Sequence, residues 1–484
     1  MAAPCVVMSE LVVKLNKVAE SLKLGDFDQN NAVILQNVTK SFREPNCRAS
    51  AVKAVFQSLL QILSRSFDEI HAFYRDDNRR SLDTCLQLTA ECFRCQRNAC
   101  VQCARNQCLM RDLGFIDVTT RILQLLPRLQ LVQTDSALEA FRCGIQFLGN
   151  LAVGNQDCKD DIWKHTFPDT FLNLLDHSDE KAVAYGSMVL FTCLDGEKVG
   201  EMLVIEGGQE LAVRLIRLCR KQPELDWAVL IVTQHFLKCA ELVEKMYAKL
   251  NNQERITLLE LITAELGEAG VGTQESAVPV RLAEFLATCF QDKCKVVLTL
   301  ASDSSAANEE ALIVIRLLDI LCEMTSDQKK FMFLQSFSEL LKTTVELLKE
   351  VHLTGKESKN IFTPTHNFSE METVSHPAVG FKARLIRLIG NLCHNNKENQ
   401  NKVRELDGIA LILDSCSIDG NNPFINQWSV FAIRNVLEQN KQNQEILMAM
   451  ERRGVADESA LREMGFGVEE RDGQLLLKPI KKET

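Results

Sequence analysis

Proline is scarce in this sequence, and its scarcity is the first guide to the fold. Only 10 of the 484 residues are proline, and long stretches contain neither proline nor glycine. These two residues punctuate the short strands of all-β proteins, so their rarity favours helices. A chain of this length also exceeds the size at which one hydrophobic core stops growing. We therefore expect several domains or one extended stack.

The sequence also lacks an excess of positive charge. Its formal net charge is −10, whereas a protein that grips phosphates needs a basic surface, so nucleic acid is not an expected partner. No apolar run reaches membrane-spanning length. The N-terminal apolar run is too short for a signal peptide, and no basic segment precedes it. We expect no membrane insertion and a location in the reducing cytosol.

The motifs that organise common catalytic sites are absent as well. The sequence contains no Gly-x-Ser-x-Gly, no Gly-Lys-Ser/Thr phosphate loop and no Gly-x-Gly-x-x-Gly. None of the 8 histidines pairs with another at metal-ligand spacing, and no pair of acids stands out for acid–base work. The sequence therefore predicts a protein that is not an enzyme, with no metal site and no cofactor.

Cysteine, in contrast, is abundant, with 18 residues. The densest group is Cys92-x-x-Cys95 followed by Cys100-x-x-Cys103, which offers four thiols to a zinc ion. Zinc ribbons separate two such pairs by about 15–20 residues, whereas only four residues intervene here, inside a helical pattern. We predict that these cysteines are structural. A zinc-dependent or redox enzyme is the alternative that rests on this cluster.

A repeat with a period of about 42 residues, typical of armadillo and HEAT proteins, runs through the chain. Asn391 and Asn435 lie 44 residues apart in similar helical segments, and each is followed eight residues later by an Asn-Gln pair. Asn98 has the same pair eight residues on, while the pair after Asn150 comes three residues early. Units of this kind stack to form one continuous core.

The predicted fold is all-α: an armadillo/HEAT-like helical-repeat solenoid, or superhelix, with a short C-terminal hairpin or capping tail. Asp472-Gly473 between two short runs predicts the hairpin, and a terminal repeat needs a cap. The expected parts are an N-terminal helical cap (1–80), armadillo-like repeats (81–266), divergent helical repeats (281–351), a flexible loop (352–380), C-terminal armadillo repeats (381–450) and a capping tail (451–484).

The recurrent asparagines are the candidate binding residues. Asparagine has a poor helix propensity, so propensity does not explain its repeated position inside a helix. Either the amides bind the backbone of an extended peptide, which is the interpretation we favour, or each amide ties its helix to the adjacent repeat. We expect the downstream Asn-Gln pair to mark the helix end. The candidate partner-binding groove comprises Asn98, Asn150, Asn391, Asn435, Arg387, Arg434, Phe431 and Trp428.

Two further features accompany these asparagines. Arginines cluster beside them and predict either a basic strip for an acidic peptide or ordinary i, i+4 surface pairing. In the loop, Thr363 precedes a proline and is a candidate for proline-directed phosphorylation. The arginines are Arg94, Arg97, Arg142, Arg387 and Arg434.

At several of these motifs the chain resembles the ataxin-10 family. The resemblance covers residues 80–484 and implies that residues 381–450 belong to the family's C-terminal domain. It implies an armadillo-fold, non-enzymatic adaptor acting in cytokinesis, neuritogenesis and neuronal survival. The residues that carry the resemblance are Glu91–Cys100, Ala140–Asn150, Ile315–Thr325, Gly380–Cys393 and Asn422–Trp428.

The same resemblance implies partners and places in the cell. It suggests a homo-oligomer and contacts with O-GlcNAc transferase and a heterotrimeric G-protein β subunit. It implies a cytoplasmic and perinuclear location, with the centrosome, the ciliary base and the midbody as further sites.

An armadillo-type nuclear transport adaptor that binds localisation peptides is the alternative function. Importin-type grooves carry a tryptophan four residues before the asparagine. Here Arg94, Gln146, Arg387 and Phe431 occupy those positions. Without a tryptophan ladder, the groove cannot hold lysine side chains by cation–π contact. The sequence therefore favours a protein-binding scaffold.

Overall fold

The helices of this protein form two compact units, Met1–Phe236 and Leu237–Thr484. In the computed structural model, no helix in the described ranges is both long and apolar enough to cross a membrane. The residues that the structure describes are 4–23, 25, 28–76, 82–128, 135–269, 278–301, 308–326, 330–357, 360–362, 376–416, 419–450, 466–471 and 474–479.

The helices of the first unit are α1 (Pro4–Lys23), α2 (Gln29–Ser41), α3 (Pro45–Ala49), α4 (Lys53–Asp76), α5 (Leu82–Cys100), α6 (Ala104–Asp112), α7 (Phe115–Leu125), α8 (Asp135–Ala152), α9 (Gln156–Thr166), α10 (Asp169–Leu175), α11 (Glu180–Cys193), α12 (Gly196–Val204), α13 (Glu206–Lys221) and α14 (Asp226–Gln234). Short 3-10 helices lie at Leu126–Arg128 and Phe236–Lys238.

The second unit contains α15 (Ala240–Lys249), α16 (Asn252–Ala269), α17 (Val280–Lys293), α18 (Glu309–Ser326), α19 (Ser338–Glu357), α20 (Phe381–Cys393), α21 (Lys397–Glu405), α22 (Gly408–Asp414), α23 (Ile425–Leu437) and α24 (Lys441–Ala449). Short 3-10 helices lie at Cys294–Ala301 and Met332–Ser336, and two strands follow, β1 (Phe466–Arg471) and β2 (Gln474–Pro479).

Within each unit the longer helices pack in two rows. In the first unit, α2, α5, α8, α11 and α14 pack side by side, as do α1, α4, α7, α10 and α13. In the second unit the corresponding rows are α16, α18, α20 and α23, and α15, α17, α19 and α22. In each unit separately, we call the row that carries the recurrent asparagines the asparagine row of that unit. The apolar faces of the two rows are buried against each other, which is the arrangement expected for helical repeats.

Asparagine and aspartate side chains start many of the helices. Each accepts a hydrogen bond from the backbone N–H three residues later, which satisfies a donor that has no partner within the helix. The short helices after the asparagine row begin in this way, so the turn between one row and the next is fixed locally. The caps are Asn155, Asp179, Asp195, Asn396 and Asn440.

The first 80 residues, predicted to be an N-terminal helical cap, continue the same rows. Helix α1 packs against α4, and α2 packs against α5. Leu15, Phe42 and Phe56 are fully buried. The division between the units falls at Phe236, inside the stretch 81–266 that was expected to be one block.

The stretch predicted as a flexible loop, 352–380, is helical at its start and fixed at its end. Helix α19 continues to Glu357, and His376 to Gly380 lead directly into α20. Between them, residues 360–362 are held in place by side chains of the second unit. The remaining residues, 358–359 and 363–375, lie outside the described residues, and so does the candidate phosphorylation site Thr363.

An aromatic anchor holds residues 360–362. Phe362 is 1% exposed, and its ring lies 5.8 Å from that of Phe381 at the start of α20. Asn421 donates a hydrogen bond to the Ile361 carbonyl at 3.0 Å, and Asn422 donates one to the Phe362 carbonyl at 2.6 Å. The polar composition of the surrounding sequence hides this single buried phenylalanine, which explains the difference from the predicted loop.

The predicted C-terminal hairpin is confirmed. Strands β1 and β2 are antiparallel, with Val468 opposite Leu477 and Arg471 opposite Gln474. The turn residues between the strands and residues 451–465 lie outside the described ranges. The capping role of this tail remains a prediction.

A buried polar cluster lies at the packing of α19 against α20 and α22. His352 is 8% exposed and Lys382 is 4% exposed. Burial, together with the charges of Lys382 and Lys356, lowers the pKa of His352 to about 4, against a smaller opposing effect of Asp414. Burial also lowers the pKa of the Lys382 ammonium group. The surroundings of His352 therefore favour the neutral form of its imidazole over the protonated form.

This cluster predicts an acid-sensitive second unit. His352 takes up a proton near its ordinary pKa of about 6.5 when unfolded, whereas the folded imidazole remains neutral down to about pH 4. Because the unfolded state binds more protons in this window, the free energy of unfolding should fall as pH drops from 6.5 towards 4. His352→Gln should reduce that slope in urea unfolding series at fixed pH. Equal slopes for His352→Gln and wild type would contradict the assignment.

Candidate functional site

Each candidate asparagine uses its amide nitrogen inside the stack. In the second unit, Asn435 Nδ2 donates to the Gly390 carbonyl of the preceding row helix at 2.9 Å. Asn391 Nδ2 donates to the Cys322 carbonyl at 3.2 Å and to Thr325 Oγ1 at 2.9 Å. These bonds join helices that are far apart in sequence but adjacent in the row.

The first unit repeats the arrangement. Asn150 Nδ2 donates to the Arg97 carbonyl at 3.2 Å, and Asn98 Nδ2 donates to the Thr39 carbonyl at 3.3 Å. Arg97 directly precedes Asn98 just as Gly390 directly precedes Asn391. Asn435 and Asn150 thus each reach the residue that directly precedes the recurrent asparagine of the preceding repeat. We call this series of contacts the amide ladder.

The ladder satisfies the carbonyl groups at the ends of the row helices. The last four carbonyls of any α-helix have no partner within the helix, and leaving such a group buried and unbonded is costly. At the end of α20 a side-chain amide reaches every one of them. The carbonyls of residues 390, 391, 392 and 393 accept from Asn435 (2.9 Å), Gln335 (3.1 Å), Asn399 (2.8 Å) and Gln400 (3.4 Å).

The downstream Asn-Gln pair begins a helix, whereas the sequence predicts that it marks a helix end. Asn399 and Gln400 lie in the first turn of α21, after the cap residue Asn396. From there Asn399 Nδ2 donates back to the Leu392 carbonyl and to the Gln335 carbonyl, both at 2.8 Å. The eight-residue spacing is therefore the distance from the end of a row helix to the turn that bonds back to it.

The early Asn-Gln pair after Asn150 occupies a different position from the others. Asn155 is the cap of α9 and corresponds to Asn396, not to Asn399. The position that corresponds to Asn399 is Cys158, whose thiol lies 3.8 Å from the Gln107 carbonyl. The repeat thus keeps its spacing and replaces one amide by a weaker donor.

Glycine precedes two of the asparagines, and at one of them, Gly390, the neighbouring row helix approaches closely. A Cβ atom on Gly390 would lie 2.8 Å from the ring of Phe431 and 3.1 Å from the Cα of Ala432. One on Gly149 would lie 2.6 Å from the Met188 Cε. The Gly-Asn pair therefore combines close packing with a donor for the ladder.

The arginines beside the asparagines are paired with neighbouring repeats. Arg387 Nη1 lies 2.8 Å from Glu323 Oε1, and Arg142 Nε lies 2.8 Å from Asp179 Oδ1. Arg94 pairs with Glu139 and with Glu91, and Arg97 donates to Gln146. Most of these bonds cross from one row helix to the next, and i, i+4 pairing does not account for them. Carboxylates neutralise the predicted basic strip at Arg94, Arg142 and Arg387, whereas the partner of Arg97 is an uncharged amide.

The candidate residues near the C-terminus form one contact series. The Arg387 guanidinium lies 4.9 Å from the centre of the Trp428 ring, and Trp428 meets Phe431 edge-on at 5.8 Å. Together with Glu323, which pairs with Arg387, they link α18, α20 and α23. Arg434 is exposed and has no ion pair or hydrogen bond from its guanidinium to any described residue.

The amide oxygens of the four candidate asparagines accept no hydrogen bond within the described part of the chain. Asn98 and Asn150 are half-buried, whereas Asn391 and Asn435 are 8% and 3% exposed. The amide nitrogens thus tie each helix to the adjacent repeat, which was the alternative to peptide binding. A second role for the oxygens, as acceptors for a bound peptide, remains a prediction and has most room at Asn98 and Asn150.

The thiols of the clustered cysteines lie in different surroundings and do not converge on one point. Cys92 and Cys100 are fully buried in α5, with their thiols near the Leu59 carbonyl and Met110 Sδ respectively. Cys103 lies outside that helix as the cap of α6. Burial raises the pKa of Cys85 to about 12, so its thiol is protonated near neutral pH. Within the described ranges, no three potential metal ligands come together.

Each unit consists of two rows of helices, and side-chain amides join neighbouring helices of one row at a period of armadillo length. These features define the class of this protein as an α-helical repeat solenoid. Residues 381–478 match the family model described as the spinocerebellar ataxia type 10 protein domain, which extends beyond residue 450 into the hairpin.

Curated relatives match nearly the whole chain. Ataxin-10 of Xenopus tropicalis is 47% identical, over 96% of this chain and 95% of its own. Ataxin-10 of Bos taurus is 47% identical over 92% and 93%, and that of Homo sapiens 46% over 92% and 94%. The chain belongs to the ataxin-10 family. The similarity also includes most of the first 80 residues, which the resemblance drawn from motifs did not cover.

The amide ladder predicts a stability loss on removal of one amide. Asn435→Ala leaves the Gly390 carbonyl without a donor between two helices, so the free energy of unfolding should fall by about 1–3 kcal/mol. Asn426→Ala is the matched control, because Asn426 lies exposed on the same helix. Urea unfolding followed by circular dichroism would measure both. A loss for Asn426→Ala as large as for Asn435→Ala would contradict the ladder.

Proposed function

We propose that this protein is a non-catalytic scaffold that binds other proteins along its asparagine row. The observation that carries the proposal is the contact series of Glu323, Arg387, Trp428 and Phe431, which presents a continuous polar and aromatic surface over three row helices. Aromatic and arginine side chains are those that contribute most to protein interfaces.

The charge pattern of the row supports a particular kind of ligand. Since Arg94, Arg142 and Arg387 are already paired with carboxylates of neighbouring repeats, a highly acidic peptide would have to displace those pairs. A segment of low net charge that offers backbone N–H groups and apolar side chains fits better. The free amide oxygens of Asn98 and Asn150 would accept from such a backbone.

Membership of the ataxin-10 family supports a cellular role for this scaffold. We propose that it acts in cytokinesis, neuritogenesis and neuronal survival, in the cytoplasm and perinuclear region and at the centrosome, ciliary base and midbody. O-GlcNAc transferase, a G-protein β subunit and a second copy of the chain are the proposed partners. The transport-adaptor alternative is not proposed, because Arg387 stands where an importin-type groove needs tryptophan.

Binding along the row can be tested at Trp428. Trp428→Ala removes the ring that the Arg387 guanidinium contacts, and we expect it to weaken binding to purified O-GlcNAc transferase or G-protein β subunit by about tenfold or more. Isothermal titration calorimetry would measure both affinities. Phe424→Ala is the control, since Phe424 is 67% exposed at the start of the same helix.

The melting temperature of each variant distinguishes lost contacts from lost folding. Wild-type affinity of Trp428→Ala for both partners would refute binding at this surface. Tight binding of a lysine-rich localisation peptide by the wild-type protein would favour the transport adaptor instead.

A further inference from the structure

Among the described residues, two lysines are buried, and their surroundings differ. Lys198 is 5% exposed and Lys382 is 4% exposed. Lys198 Nζ lies 2.7 Å from Asp160 Oδ1 and 2.6 Å from Asp195 Oδ2, so two carboxylates balance its charge. The Lys382 ammonium group forms no ion pair or hydrogen bond with any described residue. Because a buried charge without a partner is unfavourable, protonation of Lys382 carries a free-energy cost that Lys198 avoids.

The carboxylate with the strongest electrostatic effect on Lys382 is bound by other groups. This carboxylate belongs to Asp419. It accepts a hydrogen bond from the Asn421 backbone N–H at 2.9 Å and another from Asn422 Nδ2 at 2.8 Å. The two asparagines thus hold Asp419 in a position from which it forms no ion pair with Lys382.

The position of Lys382 in its helix adds to the effect of burial. Lys382 is the second residue of α20, and the partial positive charge at a helix N-terminus disfavours a cation there. Burial lowers the pKa of the Lys382 ammonium group, and the charge of Lys356 lowers it further, against opposing effects of Asp419 and Asp414. Asp414 Oδ2 lies 3.3 Å from Lys356 Nζ, so its ion pair is with Lys356 and not with Lys382.

Lys198 shows the opposite behaviour in a similarly buried position. Burial disfavours its charge as well, but the hydrogen bonds to Asp160 and Asp195 outweigh burial and raise its pKa. Lys198 therefore remains protonated near neutral pH. A larger fraction of Lys382 is uncharged than at a lysine with the ordinary pKa of about 10.4, and an uncharged, desolvated lysine amine is a nucleophile.

The buried amine lies just beneath an exposed surface. The side chains of Lys356 and Asp414, which both act on Lys382, are 60% and 62% exposed. A small molecule that approaches between these side chains has a short path to Lys382 Nζ. A bulky reagent is excluded, because Lys382 itself is only 4% exposed.

We propose that Lys382 is a site of covalent acylation by small acyl thioesters. Its uncharged Nζ attacks the thioester carbonyl carbon, so that a C–N bond forms and the C–S bond breaks. The thiolate leaves with the electron pair of that bond and takes up the proton that the nitrogen loses. The products are an amide on Lys382 and a free thiol. Since the amide is uncharged, acylation removes the unfavourable buried ammonium group.

The pH dependence of acylation tests the proposal. Full-length protein is incubated with the small thioester S-acetyl-N-acetylcysteamine from about pH 6.5 to about pH 10, towards the ordinary lysine pKa. Mass spectrometry quantifies acetylation at each lysine in the same reaction, so hydrolysis of the reagent affects all of them equally. We expect the rate at Lys382 to level off at a lower pH than the rates at Lys198 and Lys356. Access scales a rate equally at every pH, whereas the uncharged fraction sets the pH at which the rate levels off.

The paired lysine provides a matched variant. Asp160→Asn with Asp195→Asn removes both charges beside Lys198, and asparagine retains the cap of α12. Acetylation of Lys198 in this variant should level off at a lower pH than in the wild type. Asp160→Asn alone should shift Lys198 in the same direction by less, which keeps the test available if the double variant does not fold. Circular dichroism at each pH confirms that the protein remains folded.

Two outcomes would overturn the proposal. One is a rate at Lys382 that rises up to the same pH as the rate at Lys356, because its ammonium group would then have ordinary acidity. The other is an absence of acetylation at Lys382 at every pH at which Lys198 is modified, because the amine would then be closed to the reagent. Neither result bears on partner binding along the asparagine row, which is tested separately at Trp428.

Discussion

The structure depends on one requirement: the carbonyl groups at the ends of the row helices are covered by the next repeat and must still be hydrogen-bonded. Water cannot perform this role where helices pack closely, and the backbone has no spare donors there. Side-chain amides can, because a primary amide carries two N–H donors on a short uncharged group. At the end of α20, the donors are Asn435, Gln335, Asn399 and Gln400. The helices of adjacent repeats therefore pack against each other and satisfy each other's terminal carbonyl groups through the same contacts.

This requirement explains why parts of the architecture could be read from the sequence. The repeated asparagine, the apolar helical pattern and the period are visible along one chain, and they predicted the all-α repeat fold. The hairpin around Asp472-Gly473 was equally predictable, since its turn and its strands are local.

Other features could not be read in this way, because they depend on contacts between distant repeats. The sequence shows that Asn399 follows Asn391 by eight residues, but not that a helix ends between them. It shows Arg387 near Asn391, but not that Glu323 lies beside it in space. Phe362 is one aromatic residue in a polar stretch, and only its contact with Phe381 reveals an anchor. The cap residues Asn396 and Asn440, which follow the recurrent asparagines by five residues, could have indicated from the sequence that a new helix begins there.

The side-chain amides also have a mechanical consequence, because two of them, one from each repeat, bridge the last junction. Between the last two repeats, Gln400 donates forward to the Asn435 carbonyl, while Asn443 donates backward to the Gln400 carbonyl. Sliding the repeats past each other stretches both of these bonds, so the junction resists shear. We expect repeats joined in this way, when the second unit is pulled from its C-terminal end, to separate one after another rather than slip out of register.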